Sequence, residues 1–513
     1  MAGTSYSQTR SYSVSAGISG SDTGGVIDFG IKRDDPLFYY ISQATPTATK
    51  SVGGGVENFS RKNSYFGRVG WNYLNRYNLQ ATFRADAADL SILPKPMRWG
   101  FFPSVSGGWT ISEENFFAPI KHVVSFAKLR VSWGQNGSIA GLGGYAYAND
   151  ITSTGQYPTG LQNSDGSFQY IIGYAPSMSG NQELKWETSE QFNVGIDMRF
   201  LRDRLTFSFD WFDKKTKDLI VTGITTSTIV GVSASPMNAG NVDNKGIELE
   251  LRWRDQIGDF TYGINGNFST LKNRVTYLHP TLKDGLSGTG VRNYGTVTRF
   301  EIGYPAWHLY GYEFAGIEPS TGEALFNHYN EDGTLGTPTT DPLDSDKRHL
   351  GSGIPTYNYG LTINAAWKGV DFLVFASGAG GNQILNALNN IDYTSNRLTY
   401  LTEDRWTPTH TNGTMPAAGA ANYAKFLTSS GVVMDAAYLK IKQIQLGYNF
   451  PQNLLKKALI ENLRIYASMD DWFTFTKYPG FDPEIVGVGA SMGVDKGNYP
   501  TSKKVVFGVN ITF

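Results

Sequence analysis

Tyr77-Asn78-Leu79-Gln80-Ala81-Thr82-Phe83-Arg84-Ala85-Asp86 decides the fold, because every odd position is apolar and every even position polar. Successive side chains of a strand point to opposite faces, whereas a helix would repeat its apolar positions about every 3.6 residues. The stretch is a ribbon with one greasy face and one wet face. Phe192, Val194, Ile196 and Met198 alternate in the same way with Asn193, Gly195, Asp197 and Arg199. Leu205, Phe207, Phe209 and Trp211 alternate with Thr206, Ser208 and Asp210, and Ile247, Leu249, Leu251 and Trp253 with Glu248, Glu250 and Arg252. The chain is all-β.

Extending the pattern places strands near 57–74, 77–86, 98–111, 123–135, 184–199, 203–217, 244–254, 258–270, 357–367, 370–378, 434–449, 462–476 and 501–513. That is about 13, and one more is expected in 5–43, so about 14 in all. Tight turns at Leu74-Asn75-Arg76, Leu201-Arg202-Asp203, Asp255-Gln256-Ile257-Gly258 and Lys368-Gly369-Val370, with somewhat longer ones at 112–122 and 450–461, alternate with long polar loops. The loops cover roughly 87–97, 136–183, 218–243, 271–356, 379–433 and 477–500. Short periplasmic turns, long extracellular loops and strands of about 9–11 residues or more describe a transmembrane antiparallel β-barrel. Aromatics gather near strand ends (Trp71, Tyr73, Tyr77, Trp99, Phe101, Trp109, Trp211, Trp253, Trp367), as an interfacial girdle requires. One strand changes parity between Ile441 and Ile444, so either a bulge sits near Lys442-Gln443, the favoured reading, or the upper half of the strand stands clear of the bilayer. The last strand puts Val505, Phe507, Val509, Ile511 and Phe513 on one face. A terminal strand ending in Phe resembles the one by which bacterial outer-membrane barrels are recognised for assembly, so Phe507, Val509, Ile511 and Phe513 are the candidate assembly signal.

Composition narrows the function. The 513 residues contain no cysteine, which leaves neither disulfides nor thiolate metal sites, and a formal net charge of −1 gives no general attraction to nucleic acid. Mean hydropathy is −0.29 and no run approaches the roughly 18 apolar residues of a membrane helix, so a bilayer would be crossed by strands. Met1-Ala2-Gly3-Thr4-Ser5 has no basic segment followed by an apolar one, so no signal peptide is read there.

Several motifs occur in a familiar order. Tyr65-Phe66-Gly67-Arg68, Arg98-Trp99-Gly100-Phe101-Phe102-Pro103-Ser104-Val105, Gly108-Trp109-Thr110-Ile111-Ser112-Glu113-Glu114 and Lys128-Leu129-Arg130-Val131-Ser132-Trp133-Gly134-Gln135-Asn136-Gly137 are followed by Leu184-Lys185-Trp186-Glu187-Thr188 and Asp213-Lys214-Lys215-Thr216-Lys217-Asp218-Leu219. Asn244-Lys245-Gly246-Ile247-Glu248, Asp404-Arg405-Trp406-Thr407, Ala437-Tyr438-Leu439-Lys440-Ile441-Lys442 and Tyr478-Pro479-Gly480-Phe481-Asp482-Pro483-Glu484 complete the series. From about residue 57 to 513 the chain resembles the C-terminal half of the SusC/RagA family of TonB-dependent outer-membrane transporters of Bacteroidetes. The resemblance implies a barrel of about 22 strands, an N-terminal plug and a SusD/RagB-like surface lipoprotein as lid. It also implies energy from the TonB–ExbB–ExbD complex and oligosaccharides or peptides as cargo. Signal peptide, TonB box, plug and early strands are not found in this sequence. Residues 1–56 are expected to hold an early strand and loop, and 57–513 the remaining barrel strands and extracellular loops. Open edges in lipid are costly, so the sheet is expected to pair with a missing N-terminal half; closure on itself as about 14 strands remains open by parity.

No catalytic constellation and no cofactor motif appears. His122, His279, His308, His328, His349 and His410 are scattered, and paired acids such as Glu248 and Glu250 suit a wet lumen without chemistry. Asn330 and Asp332 partly match a Ca²⁺ loop, but His328 and Thr339 stand where acids are wanted. Loop aromatics Tyr145, Tyr147, Tyr157, Trp307, Tyr310 and Tyr312 are candidate substrate contacts, with packing of the loops as the alternative. A passive or secretion barrel, a structural surface barrel and a soluble glycan-binding β-protein are the competing functions.

Overall fold

The computed structural model describes residues 1–19, 21–23, 26–28, 49–55, 58–224, 229, 231–388, 399, 402–456, 459–484 and 487–513. One antiparallel sheet dominates them. Its strands are β1 (Ala2–Ser11), β2 (Asn58–Tyr73), β3 (Tyr77–Ala87), β4 (Trp99–Thr110), β5 (Val124–Ser138), β6 (Glu187–Phe200) and β7 (Leu205–Val221). They continue as β8 (Met237–Ile257), β9 (Phe260–Thr270), β10 (Tyr357–Trp367), β11 (Val370–Gly380), β12 (Tyr438–Asn449), β13 (Asn462–Thr476) and β14 (Lys504–Thr512). Each pairs with the next in chain order, a pure meander. All the expected strands are present, two of them (β10 and β13) at the expected bounds. The strand expected in 5–43 is β1, which starts earlier; residues 20, 24–25 and 29–43 of that range lie outside the described residues. Among the described residues β1 and β14 do not pair with each other, so the meander does not close on itself. That removes the self-closed alternative.

Backbone chemistry explains the short-turn rim. Lys368 (φ 46°) and Gly369 (φ 90°) are both left-handed, as a two-residue hairpin requires, and Trp367 pairs directly with Val370. Leu74 and Asn75 take the same region, and the Asn72 side-chain oxygen accepts the Asn75 amide at 3.1 Å. The predicted bulge is present: Ile441 pairs with Phe473 and Gln443 with Asp470, leaving Lys442 opposite Asp471-Trp472. Lys442 Nζ reaches Asp471 Oδ1 at 3.3 Å across it.

At the other rim the sheet has a kink. Ser269 pairs with Glu248 and Lys272 with Lys245, so Lys272–Leu278 prolongs β9 along β8, in unchanged register as far as Val275 and shifted by one residue from Tyr277 on. Between them the Ile247 amide donates to Thr270 Oγ1 (3.1 Å) and the Leu271 amide to the Thr356 carbonyl (2.8 Å). The chain therefore leaves β10 while staying on β8. Gly246 faces this step, where a Cβ would collide with the Thr270 carbonyl.

The segments read as long polar loops carry further strands that the sequence reading did not place. Residues 136–183 contain a hairpin of Asp150–Gln162 and Phe168–Ser179. Gly155, Pro158 and Gly160 interrupt it and both faces are largely exposed, so no burial imposes a period of two.

Buried side chains concentrate in the loops. Val297, Leu309, Tyr312, Phe326, Leu385, Phe426, Leu427 and Val494 form one core that joins segments of 286–351, 383–435 and 494 into a canopy. Leu93, Phe102, Leu184 and Trp186 form a second, with Trp186 Nε1 donating to the Arg98 carbonyl at 2.9 Å. The apolar face of the sheet is left uncovered: Leu79, Phe83, Val131, Leu251, Ile264, Leu361 and Leu446 are all exposed. A continuous apolar band of this width demands lipid.

The canopy also buries a histidine. His308 is fully inaccessible, its Nδ1 lies 3.0 Å from His349 Nδ1, and Tyr304 packs beside both rings. Burial, the neighbouring His349 and Arg299 push His308 down to about 4, and burial lowers His349 too. A histidine whose folded value lies below its unfolded one, about 6.5, stabilises the fold fully above that pH and loses the contribution as pH falls towards the folded value. Amide protection in 298–311 and 348–351, corrected for the pH dependence of intrinsic exchange, is expected to fall between pH 7 and about 4.5 in the native protein and far less in His308→Gln. Equal acid sensitivity in both would exclude this pair as the cause.

Candidate functional site

The wet face of the sheet is organised by cross-strand ion pairs. On β5, Arg130 donates to Asp197 of β6 (2.7 and 2.9 Å) and on across to Asp210 of β7 (2.8 Å). Register explains the reach: Arg130, Gly195 and Asp210 lie in one row, and a Cβ on Gly195 would sit against Asp210 and 2.9 Å from Arg130 Nη2. The same device recurs further along. Arg464 of β13 binds Asp371 of β11 (2.9 and 2.6 Å) over Gly447 of β12, where a Cβ would lie 2.6 Å from Asp371 and 2.7 Å from Arg464. Arg84 holds Asp86 (2.8 Å) and Ser64 (3.0 Å) on β3 and β2.

Between these pairs the wall is lined with amides and hydroxyls. Two shallow hollows of about 520 and 410 Å³ share Ser106 and Ser132 and run into one another. Asn78, Gln80, Lys128 and Arg130 line the first, and Thr82, Arg84, Asn136, Gln191 and Asn193 the second. Such a trough offers donors and acceptors in rows, the complement of a hydroxyl- or amide-rich chain.

A loop is locked onto this wall. Lys440 of β12, its side chain 3% exposed, donates to Asp482 Oδ2 and Glu484 Oε2, both at 2.8 Å. Asp482 also accepts from the Thr501 amide and hydroxyl (3.1 and 3.0 Å), and Lys442 binds Glu484 at 2.5 Å. Burial pushes the Asp482 and Glu484 carboxyls up, but the lysine ammonium groups outweigh it and hold both below the ordinary range. Tyr478 Oη fastens the other end to Asp495 Oδ2 at 2.6 Å. The motifs 437–442 and 478–484, noted separately in the sequence, are two halves of one latch. Their inward charges were a usable signal; their contact was not visible.

The candidate aromatics separate into two groups. Tyr157 (59% exposed) stands on the projecting hairpin, and Tyr145 is also exposed, its ring tilted against that of Tyr147 with centroids 6.3 Å apart. Tyr147 donates to the Leu90 carbonyl at 2.9 Å. Tyr312 (5% exposed) is inside the canopy core and donates to Asp344 at 3.1 Å, while Tyr310 lies under the Arg299 guanidinium at 4.7 Å and Trp307 packs on Phe300 at 5.3 Å. Asp332 is occupied by the amide and hydroxyl of Thr334 (2.9 and 2.6 Å) and Asn330 Nδ2 donates to Thr334 Oγ1 (3.0 Å), a self-satisfied turn. Among the described residues no three His, Cys, Asp or Glu side chains converge on a metal position. Phe507, Val509, Ile511 and Phe513 are exposed, with the first three on the apolar face of β14 in pairs with Ala467, Ile465 and Leu463.

Known proteins share this architecture. The family described as TonB dependent receptor-like, beta-barrel matches residues 2–470. TonB-dependent receptor P3 of Formosa agariphila is 28% identical over 481 residues, covering 88% of this chain and 45% of that protein. TonB-dependent receptor SusC of Bacteroides thetaiotaomicron is 28% identical over 467 residues, covering 88% and 43%. The RagAB peptide importer in its 'open-open' state superposes with a TM-score of 0.78 at 24% identity, covering 100% of this chain and 52% of that one. The chain thus spans about half the length of the relatives it matches.

Proposed function

The chain belongs to the TonB-dependent receptor-like β-barrel family, outer-membrane proteins, and on that footing we propose that it supplies wall and extracellular loops to an importer of large nutrients, oligosaccharides or peptides. The observation that carries this is the polar trough on the wet face of a lipid-facing sheet. Residues 1–56 contribute the first strand and its loop, and 57–513 the rest of the wall. The free edges of β1 and β14 are completed by further strands of the barrel, since unpaired edges are not tolerated in lipid. A SusD/RagB-like lipoprotein caps the canopy, and TonB–ExbB–ExbD pulls on a plug to open a passage along the wall. The residues here bind and guide; none performs bond chemistry. Phe507, Val509, Ile511 and Phe513 serve assembly.

Extraction from outer membranes in mild detergent should bring down a surface lipoprotein together with trapped oligosaccharide or peptide. Uptake of that ligand by cells should stop when a protonophore collapses the inner-membrane gradient. Uptake indifferent to the protonophore would identify a passive pore instead.

The exposed and buried aromatics should behave differently. Tyr157→Ala is expected to weaken ligand capture while changing stability by less than about 0.5 kcal/mol. Tyr312→Phe, which loses the bond to Asp344, should cost about 1 kcal/mol in canopy stability and leave capture intact. Ligand titration and thermal unfolding of the two variants separate the roles; the reverse pattern would reassign both residues.

A further inference from the structure

Above the lipid-facing band, β7, β8 and the prolongation of β9 carry a two-row lattice of charge. Lys215, Asp243 and Arg274 form one row, and Asp213, Lys245 and Lys272 the row beneath it. Paired residues share a face, and on β8 that face continues through Ile247, Leu249 and Leu251 into the apolar band. The lattice therefore looks outward, towards the membrane, and not into the lumen. Asp213 is shared by Lys245 (3.3 Å) and Lys215 (3.8 Å). Lys272 and Arg274 make no ion pair with any described residue, and both are exposed. Four cations thus face two carboxylates, and the surplus lies on the side of Lys272 and Arg274.

That side opens into a cleft of about 590 Å³. It is created by the kink at Thr270-Leu271, which parts the prolonged strand from β10, and Gly303, Pro305 and Ile354 form its far wall. Its height suits a headgroup. Lys272 lies four residues beyond Phe268, whose ring stacks with Tyr357 (6.3 Å) at the upper edge of the apolar band. Four residues at about 3.3 Å each, on a strand tilted by about 40°, rise about 10 Å above that edge. That is just outside a headgroup layer of about 5–8 Å, so the flexible Lys and Arg side chains reach back to the lipid phosphates, where basic side chains each add substantially to binding.

We propose that Lys272 and Arg274, backed by Lys245 and Lys215, bind the phosphorylated headgroup of an outer-leaflet lipid in this cleft, with its acyl chains lying on Phe268, Tyr357 and Leu361. Charge complementarity and outward register distinguish it from a lumenal substrate site, and the aromatic floor distinguishes it from a site for free phosphate.

The test uses protein extracted from outer membranes, delipidated, and re-supplied with diphosphorylated lipid A or with the same lipid stripped by phosphatase. Retention is read by native mass spectrometry. Wild-type protein should hold the phosphorylated lipid, and Lys272→Ala/Arg274→Ala should hold it about 30-fold more weakly. The phosphatase-treated lipid should bind wild-type as weakly, Lys272→Arg/Arg274→Lys should retain binding, and millimolar inorganic phosphate should not displace the lipid. Unchanged retention by the alanine pair, equal binding of both lipids, or displacement by phosphate alone would each overturn the proposal. Heat-modifiable gel migration of all variants verifies that the barrel is folded.

Discussion

Lys440→Met is expected to destabilise the protein by about 3–5 kcal/mol, because it removes the cation between two acids and leaves Asp482 buried and uncompensated. Breaking a buried pair costs more than the pair is worth, since the remaining charge keeps its desolvation penalty. The loss should appear as a lower transition temperature for heat-modifiable migration and as new proteolytic cleavage within 477–500. Replacing the acids as well, in Lys440→Met/Asp482→Asn/Glu484→Gln, should restore much of the stability. The pH dependence has a defined sign. Both carboxyls sit below their ordinary values in the fold, so their contribution is complete above the unfolded range of about 3.9–4.3 and is lost as pH falls through the lowered folded values. Wild-type and Lys440→Met should therefore converge in strong acid. An unchanged transition temperature and an uncleaved loop in Lys440→Met at neutral pH would remove the latch from the account of stability.

Gly246→Val carries the second large expectation. Its Cβ would meet first a backbone carbonyl, that of Thr270, and then the Phe212 ring at 2.8 Å. The carbonyl cannot yield, because the neighbouring Thr270 Oγ1 and Leu271 amide are tied to β8 and to Thr356. Overpacking of this kind costs about 3 kcal/mol, and here it acts on the junction that holds Lys272–Leu278 to the wall. The folded fraction in outer membranes should fall sharply. Gly266→Ala on β9 is the control, since a Cβ there meets nothing within 4 Å, and it should accumulate normally. Equal accumulation of the two variants would show that the kink relaxes freely.

The wall was legible in the sequence because lipid on one side and water on the other impose a period of two. Leu361, Ile363 and Ala365 could face only lipid, and β10 was bounded to the residue. The bulge at Lys442 was legible for the same reason, as a break in parity. Where no such boundary acts, the signal fades. The hairpin 150–179 has water on both faces, and Gly155 and Pro158 erase whatever alternation remained. The canopy core is assembled from contacts such as Tyr312 with Ser429, which no local pattern encodes. Of the candidate site, the polar residues of the wall were legible individually. Their pairing was not, since Lys440 meets Asp482 42 residues away and Arg464 meets Asp371 93 residues away. The aromatics were found by type alone, and type does not separate the exposed Tyr157 from the buried Tyr312.

The two ion pairs that pass over a glycine have a consequence for how the wall is assembled. If β6 slipped by one residue against β5 and β7, Val194 or Ile196 would replace Gly195 between Arg130 and Asp210, and Asp197 would turn towards lipid. A slip of β12 would likewise set Leu446 or Tyr448 between Asp371 and Arg464. Each pair is a checksum over three strands, satisfied by one alignment and violated by its neighbours. Misthreaded sheets would be rejected by electrostatics while they are still being inserted, whatever the turns allow.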